Sequence, residues 1–275
     1  MSFSFTKMHG AGNDFPVLHA DAAPAETWPE LARRLCDRHF GAGGDGLLVA
    51  LPSSVADVRM RMFNPDGTED ECGNGLRCLA LFAVNSGLVA GSEFSVETIS
   101  GVKRAKVEGR GDLATVTLEF GRADLSPAAV PTLLPGDPAR GATLEVDGET
   151  LTVHPLSTGT AHTILFERPD EARFQRLSPL LELHPAFPER TSIMWTEVMA
   201  PDYARVRIWE RGAGETLACG TGACAVAVAG YINGRTGRRV AVESRGGTLV
   251  VEVGEDLSLR LTGPATRVYE GRWVG

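Results

Sequence analysis

The sequence lacks most of what would place it in a membrane or on nucleic acid. Its 275 residues contain no run of eighteen or more apolar residues, so no membrane-spanning helix is expected. The 27 lysines and arginines are outnumbered by 35 aspartates and glutamates, for a net charge of −8. No basic stripe interrupts that balance, and a nucleic-acid partner is not expected. The N-terminus, Met1-Ser2-Phe3-Ser4-Phe5-Thr6-Lys7, has no charged segment leading into an apolar one. A secretory leader is therefore not expected, and the reading is a cytoplasmic protein. Aromatic residues are few, at 7%. Cysteines number only five, an odd count in a chain too long to need cross-links, so free thiols are expected. The steps from Cys72 to Cys78 and from Cys219 to Cys224 are too wide for the close pairs of a zinc site, and no metal is expected.

What is present is apolar and glycine-rich. Hydrophobic residues make up 43% of the chain, enough for one large domain or two ordinary ones. The 32 glycines and 16 prolines suit a strand-rich protein with many tight turns. Two phrases echo each other, Glu71-Cys72-Gly73-Asn74-Gly75 and Ala218-Cys219-Gly220-Thr221-Gly222. Each runs into an apolar stretch of helical character, Leu76 to Ala83 and Ala223 to Gly230. A cysteine at a helix start lies among unpaired backbone N–H groups at the positive end of the helix dipole, which favours thiolate. The same N–H groups can hold a carboxylate.

The echo extends along both halves. Val58 to Phe63 and Ala204 to Trp209 each alternate apolar with basic residues, as half-buried strands do, and each precedes a cysteine phrase. Further strand-like runs follow: Glu93 to Ile99 and Ala114 to Phe120 in the first half, then Arg239 to Glu243, Thr248 to Val253 and Leu257 to Leu261 in the second. Each half carries an early amphipathic helix, Trp28 to His39 and Glu171 to Leu183. Gly10-Ala11-Gly12-Asn13 and Thr158-Gly159-Thr160-Ala161-His162 hold comparable places, and the proline- and alanine-rich stretch from Leu125 to Arg140 reads as the linker.

Two thiols facing each other across a bound anion suit one reaction. Inverting an amino-acid Cα needs a base on one face and an acid on the other, and a thiolate with a thiol serves in both directions. The charge of the carbanion moves onto the carboxylate, where N–H groups of Gly73, Asn74, Gly220 and Thr221 stabilise it. No cofactor is strictly required. His162 and Glu210 are candidates for tuning the thiols. Cys36, Cys78 and Cys224 read as buried small hydrophobes on apolar helix faces.

On these residues the chain resembles the diaminopimelate epimerase family, the pyridoxal-phosphate-independent epimerases of the lysine and peptidoglycan pathway. The matching phrases are Lys7 to Phe15, Phe63 to Glu69, Cys72 to Cys78, and above all Glu210 to Ala225. The resemblance implies an α/β (α+β) fold of two pseudo-symmetric lobes. Each would be a mostly antiparallel, barrel-like sheet around a central helix, with the active site in the cleft between them. One lobe would comprise residues 1–121 plus 265–275 and carry Cys72; the other, residues 122–264, would carry Cys219. Cys72 and Cys219 would be the acid–base pair, assisted by His162 and Glu210. Asn13, Asn64 and Arg211 match substrate-contacting positions, joined by Gly73, Asn74, Gly220 and Thr221. Thr160 and Ser192 stand where the family has asparagines, and Gly46 where a glutamine is common. The reaction implied is LL- to meso-diaminopimelate, with an amino acid as the small-molecule partner, and a homodimer as the assembly. Because of Thr160 and Ser192, a racemase of the same chemistry on another amino acid stays open, as does a non-catalytic amino-acid-binding protein. A disulfide between Cys72 and Cys219 under oxidation is a further expectation.

Overall fold

Alternation of apolar and polar side chains becomes strand wherever it is sustained. In a computed structural model, which describes residues 2–22 and 27–275, Val58–Phe63 buries Val58, Met60 and Met62 on one face while Arg59 points outward. The chain divides into two units, Met1–Glu119 with Thr262–Gly275, and Phe120–Leu261.

The first unit contains strands β1 (Phe3–Gly10), β2 (Asn13–His19), β3 (Leu47–Leu51), β4 (Val58–Phe63), β5 (Glu69–Asp70), β6 (Glu93–Thr98), β7 (Gly101–Arg110) and most of β8 (Leu113–Arg122). Its helices are α1 (Trp28–Leu35), between β2 and β3, and α2 (Gly73–Asn85), between β5 and β6. The second unit holds β9 (Ala142–Val146), β10 (Glu149–Ser157), β11 (Ala161–Leu165), β12 (Ser192–Ala200), β13 (Tyr203–Glu210), β14 (Gly214–Thr216), β15 (Arg239–Ser244) and β16 (Gly247–Val253). Its helices are α3 (Glu171–Glu182) and α4 (Gly220–Ile232). The last strand, β17 (Ser258–Trp273), begins in the second unit and continues into the first.

In the first unit the strands pair in the order β17, β1, β2, β3, β4, β6, β7, β8 and back to β17, a closed barrel of eight. Most contacts are antiparallel; β2 with β3 and β4 with β6 are parallel. Helix α2 packs against β1, β2, β3, β4 and β7. It buries Leu76, Cys78, Leu79, Ala80, Leu81 and Ala83 almost completely, so its apolar surface runs all the way round. Gly10 on β1 makes the close approach possible: a Cβ there would lie 2.9 Å from the Asn74 carbonyl oxygen and 3.1 Å from the Arg77 guanidinium.

The second unit repeats the plan. β10 pairs antiparallel with β11, β11 parallel with β12, β12 antiparallel with β13, β13 parallel with β15, and β15 antiparallel with β16. β14 folds back on β13 as β5 does on β4. Helix α4 packs against β10, β11, β12, β13, β15 and β16, again with an almost unbroken apolar surface. The two-lobed α/β architecture of barrel-like sheets around a central helix is therefore present.

Some expected bounds shift. α1 stops at Leu35 instead of His39, because the Asp37 carboxylate takes the N–H groups of His39 and Phe40 at 2.7 and 2.8 Å, an alternative to continuing the helix. α3 starts where Asp170 accepts from the Arg173 N–H at 2.8 Å. The stretch from Leu125 to Arg140 is more than a tether: Leu134 and Ala139 join a core with Phe174, Leu177 and Trp195.

Candidate active site

Each key cysteine sits at the N-cap of a central helix, in nearly the same backbone conformation. Cys72 has φ −137° and ψ 120°, and Cys219 has φ −134° and ψ 116°. The carbonyl of each accepts the first helical bond, from Leu76 at 2.8 Å and from Ala223 at 2.9 Å. The glycines that follow each cysteine therefore stand in a first helical turn, whose N–H groups have no partner within the helix.

The approach to each cysteine is stapled alike. Arg61 on β4 grips Glu69 on β5 with two hydrogen bonds, 2.7 and 2.6 Å. Arg207 on β13 grips Glu215 on β14 the same way, at 2.8 and 3.1 Å. Paired donors on a carboxylate fix geometry as well as distance. The arginine comes first in holding the carboxyl of each glutamate below its usual pKa. Three residues beyond each arginine stand Asn64 and Glu210, so one half-site has an amide where the other has a carboxylate.

In the first unit, the Cys72 thiol donates to Asn13 Oδ1 at 3.1 Å. Asn74 Nδ2 reaches the same oxygen at 3.4 Å, and Arg77 donates to Asn74 Oδ1 at 2.8 Å. Asn13 Nδ2 donates to Asp45 Oδ2 at 2.6 Å. Asn13, Asn74 and Gly73 are thus gathered at Cys72. Asn64 donates to Thr68 Oγ1 at 3.1 Å and, at 3.4 Å, to Asp70 Oδ2. Asp14 pairs with Lys7 at 2.6 Å and with Arg38 at 2.7 Å. Burial alone would push its pKa up, but bonds from Arg38 and Lys7 overcome it and bring the pKa of the carboxyl down to about 2.

In the second unit, Cys219 Sγ accepts from the Gly222 N–H at 3.3 Å and lies 3.3 Å from Thr221 Oγ1. Thr158 Oγ1 donates to the Thr221 carbonyl at 2.9 Å, bracing that turn. Gly222 lets Met194 pack close to the turn, since a Cβ would come 2.6 Å from Met194 Cε and make that side chain move. The thiol is raised well above its ordinary range, by burial first and then by the negative charge of Glu210 beside it. The expected thiolate at this helix start is corrected: the helix end contributes about 0.3–1 kcal/mol, less than burial beside a carboxylate costs. Glu210 also accepts from Thr216 Oγ1.

His162 is buried at 1% exposure, and its Nε2 lies 3.0 Å from Thr160 Oγ1. Burial, with the charge of Arg211 second, lowers it to about 3. It is a neutral ring in neutral solution. Ser192 faces His162 across β11 and β12, and its Oγ accepts from the Arg211 N–H at 3.1 Å. The hydroxyls of Thr160 and Ser192 are thus engaged with His162 and Arg211. At Gly46 a Cβ would meet Met62 Cε at 2.7 Å and the Phe63 carbonyl oxygen at 2.9 Å, so a glutamine would require both to move.

Two parts of the site escaped the sequence reading. One is Asp45 with Arg38, where Arg38 Nη2 holds Asp45 Oδ1 at 2.7 Å. The other is Glu182 on α3, which binds the Trp209 indole at 2.7 Å and the Gly212 N–H at 2.8 Å, on either side of Glu210 and Arg211. Among the described residues no group of three or more His, Cys, Asp and Glu is placed to hold a metal ion. Among the described residues no helix is long and apolar enough to cross a membrane.

The family model described as Diaminopimelate epimerase matches residues 5–125 and 156–268. The chain is 47% identical over 274 residues to the diaminopimelate epimerase of Desulforudis audaxviator, covering 98% of this chain and 99% of that one. It is 47% identical over 271 residues to that of Desulfitobacterium hafniense, covering 96% of each. Among solved structures it resembles a phenazine biosynthesis protein of the PhzF family from Bacillus anthracis, with TM-score 0.71, 18% identity and 100% of both chains covered. It also resembles a hydroxyproline epimerase from Agrobacterium vitis, with TM-score 0.71, 17% identity, and 98% and 92% covered. At these identities the structural likeness is one of fold.

Proposed function

The chain belongs to the diaminopimelate epimerase family and interconverts LL- and meso-diaminopimelate, and from that premise we propose that Cys72 and Cys219 are its acid–base pair. The observation that carries the assignment is the matched placement of both sulfurs at the N-caps of the two central helices. One sulfur, as thiolate, takes the proton from Cα. The other, as thiol, returns a proton to the opposite face. The roles are then exchanged, and no net proton is gained or lost.

Turnover begins only when one thiol has lost its proton. Glu210 is the carboxylate beside Cys219 and the natural acceptor there. The Gly222 N–H and the Thr221 hydroxyl then stabilise the thiolate. The N–H groups of Gly73, Asn74, Gly220 and Thr221 hold the substrate carboxylate as its charge grows, the role of an oxyanion hole. Asn13, Asn64, Arg211, Thr160 and Ser192 bind the polar remainder of the substrate. His162, neutral, orients through Thr160 and carries no charge in neutral solution. The protein works in the cytoplasm, as a homodimer of chains whose lobes comprise residues 1–121 with 265–275 and 122–264, and it needs no cofactor. A disulfide between the two active cysteines would silence it reversibly.

The test is solvent exchange. Reduced protein in deuterated water should place deuterium at Cα of diaminopimelate. Cys72→Ala and Cys219→Ala should each abolish turnover. Turnover retained by either variant would reject the acid–base pair, and no wash-in to diaminopimelate by the parent would reject the reaction.

A further inference from the structure

Two side-chain amides near Cys72 lie between groups that can bond in one sense only. Asp45 presents carboxylate oxygens, which accept. Arg77 presents guanidinium N–H groups, which donate. Between them run Arg77 Nη2 to Asn74 Oδ1 at 2.8 Å, Asn74 Nδ2 to Asn13 Oδ1 at 3.4 Å, and Asn13 Nδ2 to Asp45 Oδ2 at 2.6 Å. An amide can ordinarily turn over and exchange its oxygen and nitrogen. Here a turned Asn13 would point its oxygen at the Asp45 carboxylate, and a turned Asn74 would point its NH2 at Arg77. Each end of the chain thus fixes the sense of the amide next to it.

Both ends are anchored. Asp45 is held by Arg38 Nη2 at 2.7 Å and accepts the Asp14 N–H at 3.0 Å. Arg77 is fully buried and also donates to the Pro264 carbonyl at 3.2 Å. With both amides fixed, Asn13 turns its oxygen toward Cys72, 3.1 Å from Sγ. An oxygen there suits S–H and disfavours S⁻. We propose that Asp45 and Arg77 are positioning residues whose fixed polarity orients Asn13 and Asn74, so that Cys72 rests as a thiol in the protein without substrate. The inference rests on the assignment of Cys72 as one of the acid–base pair. It adds that this sulfur is kept as the acid until Asn13 is drawn to another partner.

Charged and titratable groups on the elements that carry this site include Lys7 and Asp14 on β1 and β2, Arg38 and Asp45 in the segment between α1 and β3, Asp70 and Glu71 just before the sulfur, and Arg77 and Cys78 on α2. Several of them carry charge, so a change at Asp45 acts through the field as well as through Asn13. The experiment separates the two routes. The rate of Cys72 alkylation by iodoacetamide is followed against pH in the full chain, with the modified sulfur identified by peptide mass spectrometry, because only the thiolate reacts. Asp45→Asn should let Asn13 turn its NH2 toward sulfur and lower the pH of half-maximal rate by about one unit, about tenfold more thiolate near neutrality. In an Asn13→Leu background, where position 13 has no amide to turn toward the sulfur, the same substitution should shift the profile by less than half as much. Arg77→Lys, which keeps a donor and the charge, should leave the profile close to the parent, whereas Arg77→Gln should move it. Equal shifts from Asp45→Asn in both backgrounds would overturn the proposal, as would no shift in either. Alkylation needs no turnover, so a protein that shows the predicted shifts but washes no deuterium into diaminopimelate would refute the assigned reaction and leave the amide orientation standing.

Discussion

Glu182 holds the turn after β13 from both sides, its two carboxylate oxygens accepting from the Trp209 indole N–H at 2.7 Å and from the Gly212 N–H at 2.8 Å. The carboxylate is buried, and the residues it brackets include Glu210 and Arg211. A glutamine in its place keeps the shape but swaps one acceptor for a donor, so one of the two N–H groups loses its partner. Such a loss costs about 1–3 kcal/mol. Glu182→Gln should reduce kcat/KM about tenfold or more and lower the thermal midpoint by several degrees, both measurable on the purified protein. An unchanged kcat/KM would mean the turn keeps its shape without this support.

Thr160 supplies the hydroxyl beside His162 Nε2, and the ring's Nδ1 is buried without a hydrogen-bond partner among the described residues. Thr160→Val keeps the volume and removes that bond from a fully buried ring. The expected outcome is a fall in kcat/KM of about tenfold, consistent with about 1–3 kcal/mol for an orphaned polar group, with most activity restored in Thr160→Ser. Steady-state kinetics on the two variants decide it; equal loss in both would assign the effect to packing.

Two buried histidines contribute to the acid limb of stability. Burial, followed by the charges of Arg235 and Arg140, lowers His154 to about 4, and burial followed by Arg211 lowers His162 to about 3. Both values lie below the ordinary 6.5, so the unfolded chain takes up the protons first. Stability from these groups is complete above about pH 6.5 and is lost as the pH falls toward 4 and then 3. Thermal midpoints should therefore drop steadily from pH 7 to pH 4.5. His154→Leu, measured over the same range, should show a shallower decline than the parent; a parallel decline would exclude this residue as a source.

The central architecture was legible because its signals are local. Apolar runs after Cys72 and Cys219 became α2 and α4, and alternation at Val58 to Phe63 and Ala204 to Trp209 became β4 and β13. The supports of the site were not legible, because their partners are distant in the chain. Nothing near Arg77 announces the Pro264 carbonyl, and nothing near Glu182 announces Trp209. The state of Cys219 was misjudged for a related reason. A helix start is visible in sequence, whereas burial beside Glu210 depends on how β13 and α4 pack.

The first barrel is sealed by a strand drawn from the far end of the chain. β1 pairs along its length with the Thr266 to Trp273 portion of β17, and β8 pairs with β17 as well. On the ribosome, everything from β1 to β8 therefore emerges as an open sheet with two bare borders, exposed to misjoining until the final residues appear. Clipping the last dozen residues would consequently injure the amino-terminal half, the part of the molecule most remote from the cut in sequence.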